Sequence, residues 1–295
     1  MLVIAENINI MSKVIGAAMR EKNAKPIQDL TEMLLKNDPD YLDINLGPAR
    51  KGGPEMMDFV VKAVQEVAQK PLSLDTSNVE AIEAGLKAHN NAWGMPIINS
   101  IMARDERMDA LIPLAQKYES NFVALLYGPD GLPRDSNERG ELAAILLGRS
   151  MEAEIPEERV WYDPIVVPVN TQQQELQGCT EFMAMVPEFA PNSSSTCGLS
   201  NVSNGCPDEL RDLVNQTYLC ILRHAGIKSA ILDGLDTKIL DIAKDKNKEL
   251  DDLIAKVVNK EQLDLSAMSK EEVAYAKTAK VLQMESLYSD SWLDL

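Results

Sequence analysis

Eight short apolar stretches recur along this chain, each followed by a run of helical periodicity, and this alternation restricts the available folds more than any other feature. The stretches are LVIAENI (2–8), YLDINLG (41–47), PLSLDTS (71–77), PIINSIM (96–102), FVALLYG (122–128), RVWYDPIVV (159–167), TCGLSNV (196–202) and SAILDGL (229–235). Between them, apolar residues return every three to four positions over 26–37, 54–69, 79–88, 106–118, 137–152, 172–186 and 208–225. In the last run Leu210, Leu213, Val214, Thr217, Tyr218, Ile221 and Leu222 share one face. Parallel strands need crossover helices, so the pattern predicts an α/β fold with a parallel sheet. Eight βα units in about 240 residues fit a (β/α)8 TIM barrel. A doubly wound sheet is the alternative, but no G-x-G-x-x-G follows the first strand.

Beyond Leu235 the chain exceeds a minimal barrel. Residues from about 241 to 272 form a charged helical insertion with Leu250, Leu253, Ile254, Val257 and Val258 at helical spacing, and 273–295 supply a closing helix and tail. All 295 residues are assigned to one barrel domain. Amphipathic spacing reports burial, so the insertion is expected to serve packing or an oligomer contact.

Charge and cysteine usage exclude several classes. A net charge of −17 leaves no basic face for a phosphate backbone, which argues against nucleic acid. No apolar run approaches the roughly 18 residues of a membrane span, and MLVIAENINIMS lacks the regions of a signal peptide, so a cytoplasmic protein is expected. Cys179, Cys197, Cys206 and Cys220 contain no C-x-x-C pair, and His89 and His224 are the only histidines. No bound metal is therefore expected.

The polar residues gather where a barrel places its active site, at the C-terminal ends of the strands. In chain order the ends carry Glu6, Asn7 and Asn9; Asp43 and Asn45; Asp75 and Ser77; Asn99; Asp163; Ser200 and Asn201; and Asp233. No Lys, Arg, His or Cys accompanies them at those ends. Such a ring has hydrogen-bonding groups but neither a nucleophile nor a metal cage, and it suits a neutral, nitrogen-rich heterocycle. A single Asp or Asn ending a strand is ordinarily a helix cap or turn residue; repetition at seven ends favours a binding ring.

Several segments also carry a family resemblance. ENIN (6–9), LDINLGP (42–48), LSLDTSNVEAIEAGLKA (72–88), IINS (97–100), DGLPRDSNER (130–139), YDPIVVP (162–168) and GLSNVSNGCP (198–207) resemble the pterin-binding methyltransferases, in particular those acting on methyltetrahydrofolate and a corrinoid protein. The similarity runs from Met1 to about Leu240 and resumes near Lys277. It implies that Asp75, Asn99 and Asp163 hold the pterin ring, with Asp43 and Asn45 near the same pocket. It further implies that Asn201 reaches N5 of the folate as the catalytic residue. Gly198, Ser200, Arg211 and Glu6 complete the implied folate-binding set. The substrates implied are tetrahydrofolate and 5-methyltetrahydrofolate, and the cobalamin would ride on a separate corrinoid protein that docks transiently, since no D-x-H-x-x-G motif is present. A homodimer is implied as well. The direction of transfer stays open, and two alternatives stand beside this reading: a dihydropteroate synthase-like enzyme and a non-catalytic folate-binding barrel.

Overall fold

The computed structural model describes residues 1–294. Its strands are β1 (Leu2–Asn9), β2 (Tyr41–Gly47), β3 (Leu72–Thr76), β4 (Ile97–Met102), β5 (Asn121–Leu125), β6 (Val160–Asp163), β7 (Ser194–Ser195) and β8 (Ser229–Leu232). They pair in parallel in the order β7-β6-β5-β4-β3-β2-β1-β8. The remaining seam is closed by other means. Lys228 N–H donates to Ser195 Oγ at 3.0 Å, Ser229 Oγ–H donates to Ser195 O at 2.8 Å, and Ile231 N–H donates to Cys197 O at 2.8 Å. The result is a nearly closed TIM barrel, as the alternation predicts.

The helices are α1 (Lys13–Glu21), α2 (Ala24–Leu35), α3 (Gly53–Gln65), α4 (Val79–Ala88), α5 (Asp105–Lys117), α6 (Ser136–Glu152), α7 (Gln173–Phe189), α8 (Asp208–His224), α9 (Thr237–Ala243), α10 (Lys248–Val258) and α11 (Lys270–Leu282). Helix α1 is not anticipated by the periodicity, because its nine residues include a Gly-Ala-Ala run that carries little apolar signal. Its start is fixed by Ser12, whose hydroxyl accepts from Ile15 N–H.

Two expectations need correction. The stretch 196–202 is not a strand: β7 is two residues long, and Leu199–Ser203 forms a 3₁₀ turn. With three residues per turn, Leu199 and Val202 fall on one side and are buried, whereas Asn201 and Asn204 fall on another and are exposed. The second correction concerns closure. The helix following β8 is α9, which contacts β1 and α8, while α10 and α11 lie against α8. The apolar face of α10 (Leu250, Leu253, Ile254, Val257) is consumed inside this chain, and Tyr275 O–H donates to Gln216 Oε1 at 2.5 Å to tie α11 to α8. No helix among the described residues is long and apolar enough to cross a membrane.

Side chains alternate across each strand, so the barrel interior fills in layers. Ile4, Ile97, Val123, Trp161 and Ile231 form one buried cluster against Tyr41. The Tyr41 and Trp161 rings meet edge to face at 5.6 Å. Two residues further along the same strands stand Glu6, Asp43, Asn99, Leu125, Asp163 and Asp233. An apolar floor therefore supports a polar ring.

Candidate functional site

The ring is cross-braced. Asn99 Nδ2 donates to Asp43 Oδ1 at 3.2 Å, linking β4 to β2, and Asn45 Nδ2 donates to Asp75, linking β2 to β3. Asn45 Oδ1 accepts from Gly47 N–H at 2.9 Å, which fixes that amide's orientation. Ser200 Oγ–H donates to Glu6 Oε2 at 3.4 Å, joining the turn after β7 to β1. Among the described residues Asp163 makes no side-chain hydrogen bond to the other expected side chains; its Oδ1 accepts from Ile165 N–H, at 2.8 Å. Asn7 faces Asp233 instead of an open mouth, donating to it at 2.7 Å and accepting from Gly234 N–H at 2.9 Å, so it closes the β1/β8 rim.

Burial governs the ionisation of this ring. Removal from water disfavours the carboxylate form, and it pushes Glu6 up to about 7, with Asp43 and Asp233 adding repulsion. The same cause raises Asp163 to about 7 and Asp43 to about 6. Asp75 is raised well above the ordinary carboxylate value by burial and by the nearby Asp43. The shifts bring Glu6 and Asp163 toward neutrality, and a ligand offering N–H donors would favour their ionised forms.

Arg139 is a residue that strand-end reasoning misses. It is completely buried, and it donates to three backbone carbonyls: Pro164 at 2.9 Å, Asp135 at 3.0 Å and Glu175 at 3.0 Å. It thereby pins the end of β6 to α6 and α7, and its charge acts on Asp163 from behind the ring. Its position inside a helix hid it; the sequence signal was the DGLPRDSNER segment.

Asn201 sits in the turn at the rim. Its Oδ1 accepts from Asn204 Nδ2 at 3.2 Å. Gly198 makes room for it, since a Cβ at 198 would lie 3.0 Å from Asn201 Nδ2. Arg211, at the start of α8, donates through Nε to Ser203 Oγ at 3.3 Å and through Nη2 to Asn204 Oδ1 at 3.4 Å. Glu6, Ser200, Arg211 and Asp233 also line a cavity of 260 Å³ beside the turn. A larger cavity, 640 Å³, lies between the α1–α2 junction (Lys22, Ala24) and α3, and none of the ring residues lines it.

A family model described as "Pterin binding enzyme" matches residues 33–233, a span that runs from the helix before β2 to the end of β8 and contains most of the ring. The chain belongs to the pterin-binding enzyme family. Among relatives of this pterin-binding enzyme, the methylcorrinoid:tetrahydrofolate methyltransferase of Eubacterium limosum is 25% identical over 235 residues, covering 79% of this chain and 85% of that protein. The methionine synthase of Mycobacterium leprae is 25% identical over 252 residues, which are 82% of this chain but 20% of the much longer synthase. Among solved structures, the dihydropteroate synthase of Xanthomonas albilineans in complex with 7,8-dihydropteroate superposes with a TM-score of 0.62 at 16% identity, over 84% of this chain and 93% of that one. That likeness concerns the fold. Asp43, Asn45, Asp75, Asn99, Ser200 and Asn201 lie within the matched span on neighbouring strands and the adjoining turn, and Glu6 precedes it on β1.

Proposed function

We propose that this pterin-binding enzyme transfers a methyl group between N5 of tetrahydrofolate and the cobalt of a corrinoid carried by a partner protein. The observation that carries the reading is the Asn201 amide: its oxygen is occupied by Asn204, leaving the Nδ2 donors free at the rim of a ring of carboxylates and amides. In this reading Asp75, Asp163 and Asn99 hold the pterin through its N–H groups and ring nitrogens, with Asp43 and Asn45 bracing them, and Glu6, Ser200 and Arg211 flank the folate at the mouth.

The chemistry explains why an amide donor belongs there. In the forward direction the methyl carbon leaves N5, the C–N bonding pair stays on the nitrogen, the cobalt(I) of the partner supplies the pair for the new bond, and a proton from solvent becomes the N5–H of tetrahydrofolate. A tertiary amine is a poor leaving group, so electron density growing on N5 must be met. Asn201 Nδ2 donates to that nitrogen, and the hydrogen bond strengthens as charge develops, which lowers the barrier more than it tightens binding. Such a donor contributes about 2.7–4 kcal/mol. The reverse reaction uses the same contact, and so does either physiological direction.

The likeness to the E. limosum methyltransferase supports this reading over a dihydropteroate synthase, because no strand residue of the ring is a Lys or Arg that could neutralise a leaving pyrophosphate. The test is to incubate the protein with methylcobalamin and tetrahydrofolate, and with cobalt(I) cobalamin and methyltetrahydrofolate, while following the cobalt absorbance. Transfer in either direction is expected. Folate binding with no transfer to free or protein-bound corrinoid would reduce the protein to a binding module, and condensation of a pterin pyrophosphate with p-aminobenzoate would make it a synthase. We also propose a homodimer whose mouths stay free for transient docking; sedimentation of the isolated protein tests it.

A further inference from the structure

The polarity of the Asn201 amide is set by a chain of donors that begins at Arg211. A guanidinium can only donate, so Arg211 Nη2 takes the oxygen of Asn204 at 3.4 Å. Asn204 must then turn its NH₂ the other way, where it donates to Asn201 Oδ1 at 3.2 Å. That occupies the oxygen of Asn201 and leaves its Nδ2 over Gly198. The backbone reinforces the pairing, since Asn204 N–H donates to Asn201 O at 3.2 Å at the end of the 3₁₀ turn, where residues three apart are stacked. The other arm of Arg211 is anchored as well: Nε donates to Ser203 Oγ at 3.3 Å, and that hydroxyl donates to Ser200 O at 3.2 Å.

We propose that Asn204 is a positioning residue for the reaction, fixing the Asn201 amide so that its N–H face, and not its carbonyl, is presented to the folate. The consequence for turnover rests on the methyl-transfer reading; the orientation itself does not. Without this relay the amide would present donor and acceptor faces in turn, and the acceptor face would repel the density building on N5. The cation at the head of the chain also polarises both amides in the same sense, which strengthens the terminal donor.

The discriminating variant is Asn204→Asp. It keeps an acceptor for Arg211 but cannot donate to Asn201 Oδ1, so the Asn201 amide satisfies itself by rotating to donate its Nδ2 to the new carboxylate, which turns its carbonyl outward. Because Asn204 is exposed on the rim, the fold does not depend on it. The expected result is a fall in kcat of about 100-fold, the scale for losing one oriented donor, with KM for the folate within about twofold of wild type. Asn204→Ala, which releases the amide without inverting it, is expected to fall between the two. The readout independent of activity is the pair of side-chain amide signals of Asn201 in ¹⁵N-labelled protein, assigned by their loss in Asn201→Ala; Asn204→Asp should shift both and slow the exchange of one. Shifted signals in a protein whose wild type transfers no methyl group would support the orientation and count against the transfer reading. Unchanged signals together with wild-type kcat would overturn the proposal, as would equal losses in kcat and folate affinity with the amide signals unmoved.

Discussion

Replacing Asp163 by Asn should make the ligand-free protein more stable and the enzyme a weaker binder of pterins. Asp163 is 7% exposed, receives one backbone hydrogen bond, and is raised by burial to about 7. Its native carboxyl keeps a proton to higher pH than the unfolded one, so the native state binds extra proton between about pH 4 and 7. The stability this contributes is full below the ordinary carboxylate value near 4 and is lost as pH rises through 7. Moving from near 4 to about 7 corresponds to about 4 kcal/mol as an upper bound. Asn carries no such dependence, and its oxygen still accepts from Ile165 N–H. Glu6 and Asp43 titrate in both proteins and largely cancel in the difference. Urea unfolding of wild type and Asp163→Asn at pH 4, 6 and 8 should therefore show the variant gaining about 2–4 kcal/mol relative to wild type between the extremes. Fluorescence titration with tetrahydrofolate at pH 7.5 should show an affinity loss of about 1.5–3 kcal/mol, for want of a charged acceptor. A pH-independent difference in stability would refute the desolvated carboxylate, and wild-type affinity would remove Asp163 from the pterin pocket.

Asn201→Ala should lower kcat about 100-fold or more in the cobalt absorbance assay while folate affinity changes little; equal losses would make the amide a ground-state contact. Gly198→Ala places a Cβ 3.0 Å from Asn201 Nδ2 at a backbone φ of −79° that any residue adopts, so turnover should fall with the melting temperature nearly unchanged. Arg139→Met strands three carbonyls and should cost about 3 kcal/mol or more in urea unfolding, with Arg139→Lys intermediate because one ammonium cannot reach all three. Loss of that cation should also raise Asp163 further and move the pH midpoint of pterin binding upward, whereas an unmoved midpoint would mean that Arg139 acts only as a brace.

The barrel was legible because each βα unit repeats the same demand, a buried strand followed by an amphipathic crossover, and helix 79–88 matches α4 to the residue. The polar ring was legible for the same reason: side chains two apart on a strand share a face, so Ile4 and Glu6, Tyr41 and Asp43, or Trp161 and Asp163 had to stack in floor and ring. The seventh unit was misread as a strand because TCGLSNV alternates small and apolar residues. Its burial has a period of three, Leu199 with Val202, and the N-V-S-N spacing of Asn201 and Asn204 marks the same turn from its exposed side. Arg139 was illegible by pattern, since an arginine within an amphipathic helix ordinarily lies in water. Only the tertiary approach of the β6 end, Asp135 and Glu175 gives its guanidinium a reason to be inside.

The floor and the ring make opposite demands on stability. Ile4, Ile97, Val123, Trp161 and Ile231 stabilise the barrel by burial, and in excluding water they raise the acids directly above them. A barrel selected for stability alone would place apolar or neutral groups at Asp43 and Asp163, since a buried carboxylate without a cationic partner is a liability. Partial relief comes from amides, Asn99 to Asp43 and Asn45 to Asp75, and from Arg139 lying behind Asp163. Each is arranged to brace a carboxylate while leaving acceptor positions unfilled. Unfilled acceptors ringed by apolar floor are a standing demand for N–H donors from a ligand, and the exposed Asn201 amide offers the one complementary need, an acceptor for its own N–H. A pterin supplies donors along one edge and an electron-rich nitrogen at N5, so a single ligand would satisfy both ends of the site at once.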